Sequence, residues 1–267
     1  MKKTGLGAAT AAPLGIATKL TVPTGVSGPG VWDLLLQGAL TLNTGATYDI
    51  GGSDGDVDVT IHMWGAGGSG GRASGSGGGG SGSDPGAPVA GGGGGYTTGG
   101  MTISSGTTYK AVVGNAKGNT VDASPWGEPA ASGNPISPPY NGPNPWVPTG
   151  YYKMNSGGYS GIFVTSVSAP NARLMAAGGG SGGYNDEGVQ GAGGGGGGGS
   201  AYIHPSITGG STTAAAIQDA ANDSSPYYVS GRAKGGVFSG TDPTMTHPGW
   251  PNTMWGAPGT ITFVLSD

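Results

Sequence analysis

Cysteine is absent from the 267 residues, so disulfides and thiolate metal sites are excluded and the redox compartment is left open. Charge is nearly absent as well. Charged residues make up only 9% of the chain, too few for an ordinary disordered segment and atypical of an enzyme. The ten lysines and arginines are scattered from Lys2 to Lys234 and the net charge is -4. Nucleic-acid binding, which needs clustered cations facing phosphates, is therefore not expected. No stretch approaches the roughly 20 consecutive apolar residues of a membrane span. Although Met1-Lys2-Lys3 opens like a secretory signal, residues 4–18 are small, weakly apolar and interrupted by Pro13, so no signal peptide is expected.

What fills the chain is glycine, at 63 residues, far above ordinary usage. Large aliphatic residues are too sparse for one thick core, so backbone hydrogen bonding must carry much of the stability. The organising stretch is Val57-Asp58-Val59-Thr60-Ile61-His62-Met63-Trp64, whose apolar residues alternate with polar ones as in a strand with one buried face. It runs directly into Gly65-Ala66-Gly67-Gly68-Ser69-Gly70-Gly71. The same handover recurs where residues 174–177 lead into 178–183, and in mirror image where glycines 193–199 lead into Ser200-Ala201-Tyr202-Ile203.

Along the chain, residues 1–18 read as an arm, with short strands at 19–22, 31–36, 39–42 and 47–50. Residues 1–44 are thus expected to form an arm with attachment strands, and 45–267 a glycine-rich β domain. Further strands are predicted at 101–103, 108–113, 162–167, 172–176, 200–204 and 260–265. One helix is expected, over 211–222, where Ser211 or Thr212 would cap an alanine-rich run. Residues 120–152 and 226–255 differ in texture. They are rich in proline and aromatics, which excludes regular strand and suggests long functional loops.

Polyglycine need not be flexible linker here. Its tracts abut strands bearing large side chains (Trp64, Met175, Tyr202), and several tracts of similar length recur. Glycine can adopt the left-handed polyproline II helix, three residues per turn and without internal hydrogen bonds. Lacking Cβ atoms, such helices can pack closely enough to bond one another through N–H and C=O. A collagen register is excluded, since glycine does not hold every third position over any long span.

The segments 56–71, 112–118, 177–183 and 191–203 together resemble the glycine-rich domain of many bacteriophage tail-fibre proteins. The extracellular glycine-rich region of the anaplastic lymphoma kinase receptor family is similar: a strand ending in aromatic-Gly-Ala-Gly-Gly, a strand ending in Val-Gly, then polyglycine followed by a strand such as Ala-Tyr-Ile. The layout also resembles T-even-type tail-fibre tip adhesins. The resemblance covers roughly residues 45–205 and the last strand. It implies a sandwich of polyglycine II helices with aromatic loops that touch a bacterial receptor. The receptor family's cysteines, kinase and membrane segment have no counterpart in this sequence.

Other motifs carry less. Gly65-Ala66-Gly67-Gly68-Ser69-Gly70 fits a dinucleotide fingerprint, but more glycine follows where a helix should begin. Residues 67–71 and 179–183 fit GxSxG, nearly inevitable in such tracts, and His62, His204 and His247 have no recognisable partner context. The alternate aspartates Asp54, Asp56 and Asp58 lack the glycine and terminal glutamate of a calcium loop and read as a solvated turn. Asn222-Asp223-Ser224 is a glycosylation sequon only outside bacteria.

The expected fold is all-β, a sandwich or jelly-roll-like sheet with packed polyglycine II helices. The expected function is a non-enzymatic phage virion protein at the virion surface, in a tail fibre or tail tip. It would contact other virion proteins or copies of itself and bind a host surface glycan or outer-membrane protein. Candidate receptor-binding residues are Trp126, Tyr140, Trp146, Tyr151, Tyr152, Tyr227, Tyr228, Trp250 and Trp255, because aromatic rings on loops stack on sugars at low entropic cost. Trp64 is assigned to packing. No catalytic residue, cofactor, metal, nucleic acid or membrane insertion is expected. The rival reading is a capsid or tail decoration protein, or a filament subunit, assembled through the N-terminal arm.

Overall fold

The computed structural model describes residues 17–21, 30–43, 46–68, 70–72, 88–115, 157–180, 201–216, 218–236 and 256–266. Among these the chain is all-β. One antiparallel sheet has seven strands in the order β12-β11-β10-β9-β4-β1-β2: Tyr202–Ile203, Ala172–Ala176, Ser160–Val164, Tyr109–Val112, Thr47–Gly52, Lys19–Thr21 and Val31–Asp33. A second has five, β13-β8-β5-β14-β3: Thr208–Thr213, Tyr96–Ile103, Val57–Trp64, Thr260–Leu265 and Leu40–Leu42. Gly71–Arg72 (β6) and Pro88–Val89 (β7) form a separate two-stranded ladder.

The alternation in β5 is realised as read. Val57, Val59, Ile61 and Met63 are fully buried, while Asp58 is exposed and Thr60 and His62 are half-buried. They join one apolar cluster shared by both sheets, with Leu20, Ile50, Ala111, Ile162 and Leu174 from the first and Leu40, Ile103, Ile261 and Phe263 from the second. Segment 19–42 therefore supplies strands to both sheets, β1 beside β4 and β3 beside β14.

Two local expectations are overturned. The stretch 31–36 is not one strand: β2 ends at Asp33, whose carboxylate accepts from the Leu35 and Leu36 amides and caps a single turn, α1 (Leu34–Gln37). The helix expected over 211–222 does not form. Thr212 and Thr213 pair with Thr97 and Tyr96 in β13, and the backbone further on is committed elsewhere. The Gly235 amide donates to the Gln218 carbonyl, the Ala221 amide donates to Gly94, and the Trp64 indole donates to the Ala221 carbonyl. Those groups are taken from any i to i+4 ladder, and an isolated helix of that length is marginal anyway.

Candidate functional site

The register places the glycine tracts together. Trp64, the last residue of β5, faces Tyr96, the first of β8, and Thr260, the first of β14; Ser160 opening β10 faces Ala176 closing β11. Every one of these strands meets its glycine tract at this end. The Ser160 hydroxyl joins the two sheets there, donating to the Trp64 carbonyl and accepting from the Gly114 amide.

Beyond this end, tracts 65–68, 91–95, 157–158, 177–180, 233–236 and 256–259 bond to one another through their backbones. Gly65 and Gly68, three residues apart, both donate to the 91–95 tract, at Gly95 and Gly92. Between them Ala66 donates to Gly158, and Gly67 to Ala257. The 91–95 tract repeats the pattern: Gly91 and Gly94 donate to Gly236 and Ala233, while Gly92 and Gly95 donate to Gly180 and Ala177. A recurrence of three residues per neighbour is the hydrogen-bonding signature of a polyglycine II helix. Pro258 fits such a tract, because it needs no N–H there and its carbonyl accepts from Ala233.

Packing is close enough to exclude side chains. A methyl built on Gly65 would overlap the Ala177 carbonyl, on Gly67 that of Lys234, on Gly94 that of Gly65, and on Gly179 that of Gly92. Gly157–Gly158, Gly235–Gly236 and Gly256-Ala257-Pro258-Gly259 are members that the sequence reading passed over. Each is short, and the signal was there for two of them: like the longer tracts, 157–158 and 256–259 stand immediately before a strand.

Over this end and the outer face of the five-stranded sheet lies segment 218–236, which carries two of the candidate aromatic residues. Tyr228 and Tyr227 are adjacent but have different surroundings. Tyr228 packs on the fully buried Trp64, ring centres 5.5 Å apart, and its hydroxyl donates to the Arg232 carbonyl. Burial and the neighbouring Asp223 and Asp219 carboxylates disfavour the phenolate and raise its pKa above the ordinary tyrosine value. Trp64 is also tilted against Tyr96 at 4.8 Å, and Ala220, Ala221 and Ala233 complete this small core.

Tyr227 instead stacks on the His62 ring, 4.3 Å between centres and 27° between planes, and keeps 36% of its surface in solvent. His62 Nδ1 and the Tyr96 hydroxyl share a 2.7 Å hydrogen bond, and burial lowers the imidazole's basicity below its ordinary value. The backbone of Tyr227 is tied down as its carbonyl accepts from the Thr262 hydroxyl. In register across the sheet, Ser211, Thr98, His62, Thr262 and Thr41 form one uncharged polar row. The result is an aromatic plate that covers the buried Thr262, with Thr41 and Thr98 half-buried and Ser211 exposed along the same row.

The other candidates, Trp126, Tyr140, Trp146, Tyr151, Tyr152, Trp250 and Trp255, lie outside the described residues, as do both GxSxG serines and His247. His204 is held locally: Ser206 donates its amide to Nδ1 and its hydroxyl lies 2.8 Å from the same atom. The near-calcium aspartates have protein partners. Asp54 pairs with Lys19, Asp56 accepts from the Ser105 amide, and Asp58 accepts from the Thr102 hydroxyl. Among the described residues no group of three or more His, Asp or Glu could hold a metal ion, and no helix is long and apolar enough to cross a membrane.

Comparison with models of protein families, with curated proteins and with solved structures finds no match to this chain.

Proposed function

We propose that this chain is a non-enzymatic virion protein of a bacteriophage, a tail-fibre or tail-tip component that binds carbohydrate on the host surface. The observation that carries the reading is the polyglycine bundle growing out of the strand ends, the arrangement that the tail-fibre resemblance implies. Such a bundle has few side chains of its own, which leaves recognition to the segments between its tracts. Tyr227 supplies a partly exposed ring face of the kind a pyranose stacks upon, in uncharged polar surroundings. The aromatic segments 120–152 and 226–255 supply the rest of the contact surface.

The test is binding of fluorescently labelled protein to a panel of bacterial strains and their isolated surface polysaccharides. The parent should stain at least one strain, and a Trp126→Ala/Trp146→Ala/Tyr227→Ala variant should lose that staining while keeping its melting temperature. Equal staining by the variant, or none by the parent on any strain, would reject the reading.

A further inference from the structure

The four edges of the two large sheets differ in how they end. β12 has two residues and β3 has three. β2 also has three, and its Asp33 amide is plugged by the Gln37 side chain. Short or obstructed edges are the usual protection against pairing with another chain. β13 is longer, and although an irregularity between Thr208 and Ser211 bends its start, 211–213 are regular and open on one side among the described residues. It runs six residues, Thr208-Gly209-Gly210-Ser211-Thr212-Thr213, all of them exposed, and pairs on one side only among the described residues. It carries no charge and no proline. Residues 214–216, which continue it, are alanines.

We propose that β13 is a self-association edge, through which two copies of this chain pair antiparallel and join their five-stranded sheets into one. A second copy is the occupant the edge fits. Ser211-Thr212-Thr213 can face itself across a two-fold axis without opposing like charges, and threonine–threonine and threonine–serine neighbours stabilise such ladders. A head-to-tail alternative would need β3, the other edge of this sheet, and β3 has only three residues. The irregularity between Thr208 and Ser211, with Gly209 at φ 59°, bends the strand away on one side and limits the pairing to 211 onward. Pairing would use the outer edge of the strand and not the sheet face that carries Tyr227, so two linked copies would present two aromatic plates to a surface.

The absence of cysteine makes the test direct. Thr212→Cys in the full chain should form a disulfide-linked dimer under mild oxidation, because directly opposed residues of an antiparallel pair lie about 4.5–5.5 Å apart at Cα, within disulfide reach. Thr102→Cys, exposed on β8 of the same sheet, should cross-link much more slowly. By light scattering the parent should show a concentration-dependent dimer, and Thr212→Lys, which places two cations opposite each other, should remain a monomer. A parent monomeric at every concentration, or equal cross-linking at 212 and 102, would overturn the proposal. So would a dimer that survives Thr212→Lys.

Discussion

The amide of Gly68 donates to the carbonyl of Gly92 at 2.9 Å, one rung between two segments that contain no side chain able to hold them together. Each such rung is worth only about 0.5–1.5 kcal/mol net, and ordering glycine costs more entropy than ordering any other residue. The bundle is therefore stable only as a set. Buried donors and acceptors satisfy one another there, and losing one rung leaves its partner buried and unpaired. That reasoning gives the predictions below.

Gly65→Ala should destabilise the fold by about 3 kcal/mol or more, since the new methyl meets the fixed Ala177 carbonyl rather than a movable side chain. Gly106→Ala is the control. Nothing lies within 4 Å of its methyl, and the change should be neutral or stabilising by about 0.4–1 kcal/mol through the unfolded chain. Urea unfolding of both variants checks the contrast.

Trp64→Phe should cost about 1–3 kcal/mol beyond the smaller ring, because the Ala221 carbonyl loses the indole donor at 2.6 Å and stays buried. Thermal melts should show this loss for Trp64→Phe and a smaller one for Tyr228→Phe, which removes a hydroxyl at the edge of the same cluster.

His62 makes stability pH-dependent with a definite sign. Its folded-state basicity lies below the ordinary value of 6.5, so as pH falls through 6.5 the unfolded chain takes up a proton before the folded chain does. Stability should fall with pH in that window and level off once the folded ring is also protonated. The loss should be smaller in His62→Gln. Unfolding free energies measured between pH 8 and pH 5 for both proteins test it.

The two adjacent tyrosines should separate binding from stability. Tyr227→Ala should weaken polysaccharide binding at least tenfold with little change in melting temperature. Tyr228→Ala should lower the melting temperature, because it opens a cavity beside Trp64. Binding titrations paired with thermal melts on each variant distinguish the roles, and a reversed pattern would place recognition elsewhere.

Much of this architecture is written in the residues. β5 and β14 have the bounds that their apolar patterns predict, and the handovers after Trp64 and Ala177 mark where sheet becomes bundle. The helix expected over 211–222 fails because propensity sees alanines but not the distant partners that claim the backbone of Gln218 and Ala221: Gly235 for the first, Gly94 and Trp64 for the second. The tract 235–236 carries no local signal, because its membership in the bundle depends on neighbours far away in sequence, not on tract length. At the candidate site, Tyr227 was legible as a loop aromatic. Its footing on His62 was not, since alternation assigns His62 only to the polar face of a strand.

Hydrogen exchange of the glycine amides bears most directly on the ordered bundle. The amides of Gly68, Gly92, Gly94, Gly179 and Gly235 should exchange as slowly as those in the centre of β5, because they open only with the whole fold. Exchange of these amides at the rate of an unstructured glycine chain, with β5 still protected, would contradict the bundle and return the tracts to flexible linkers.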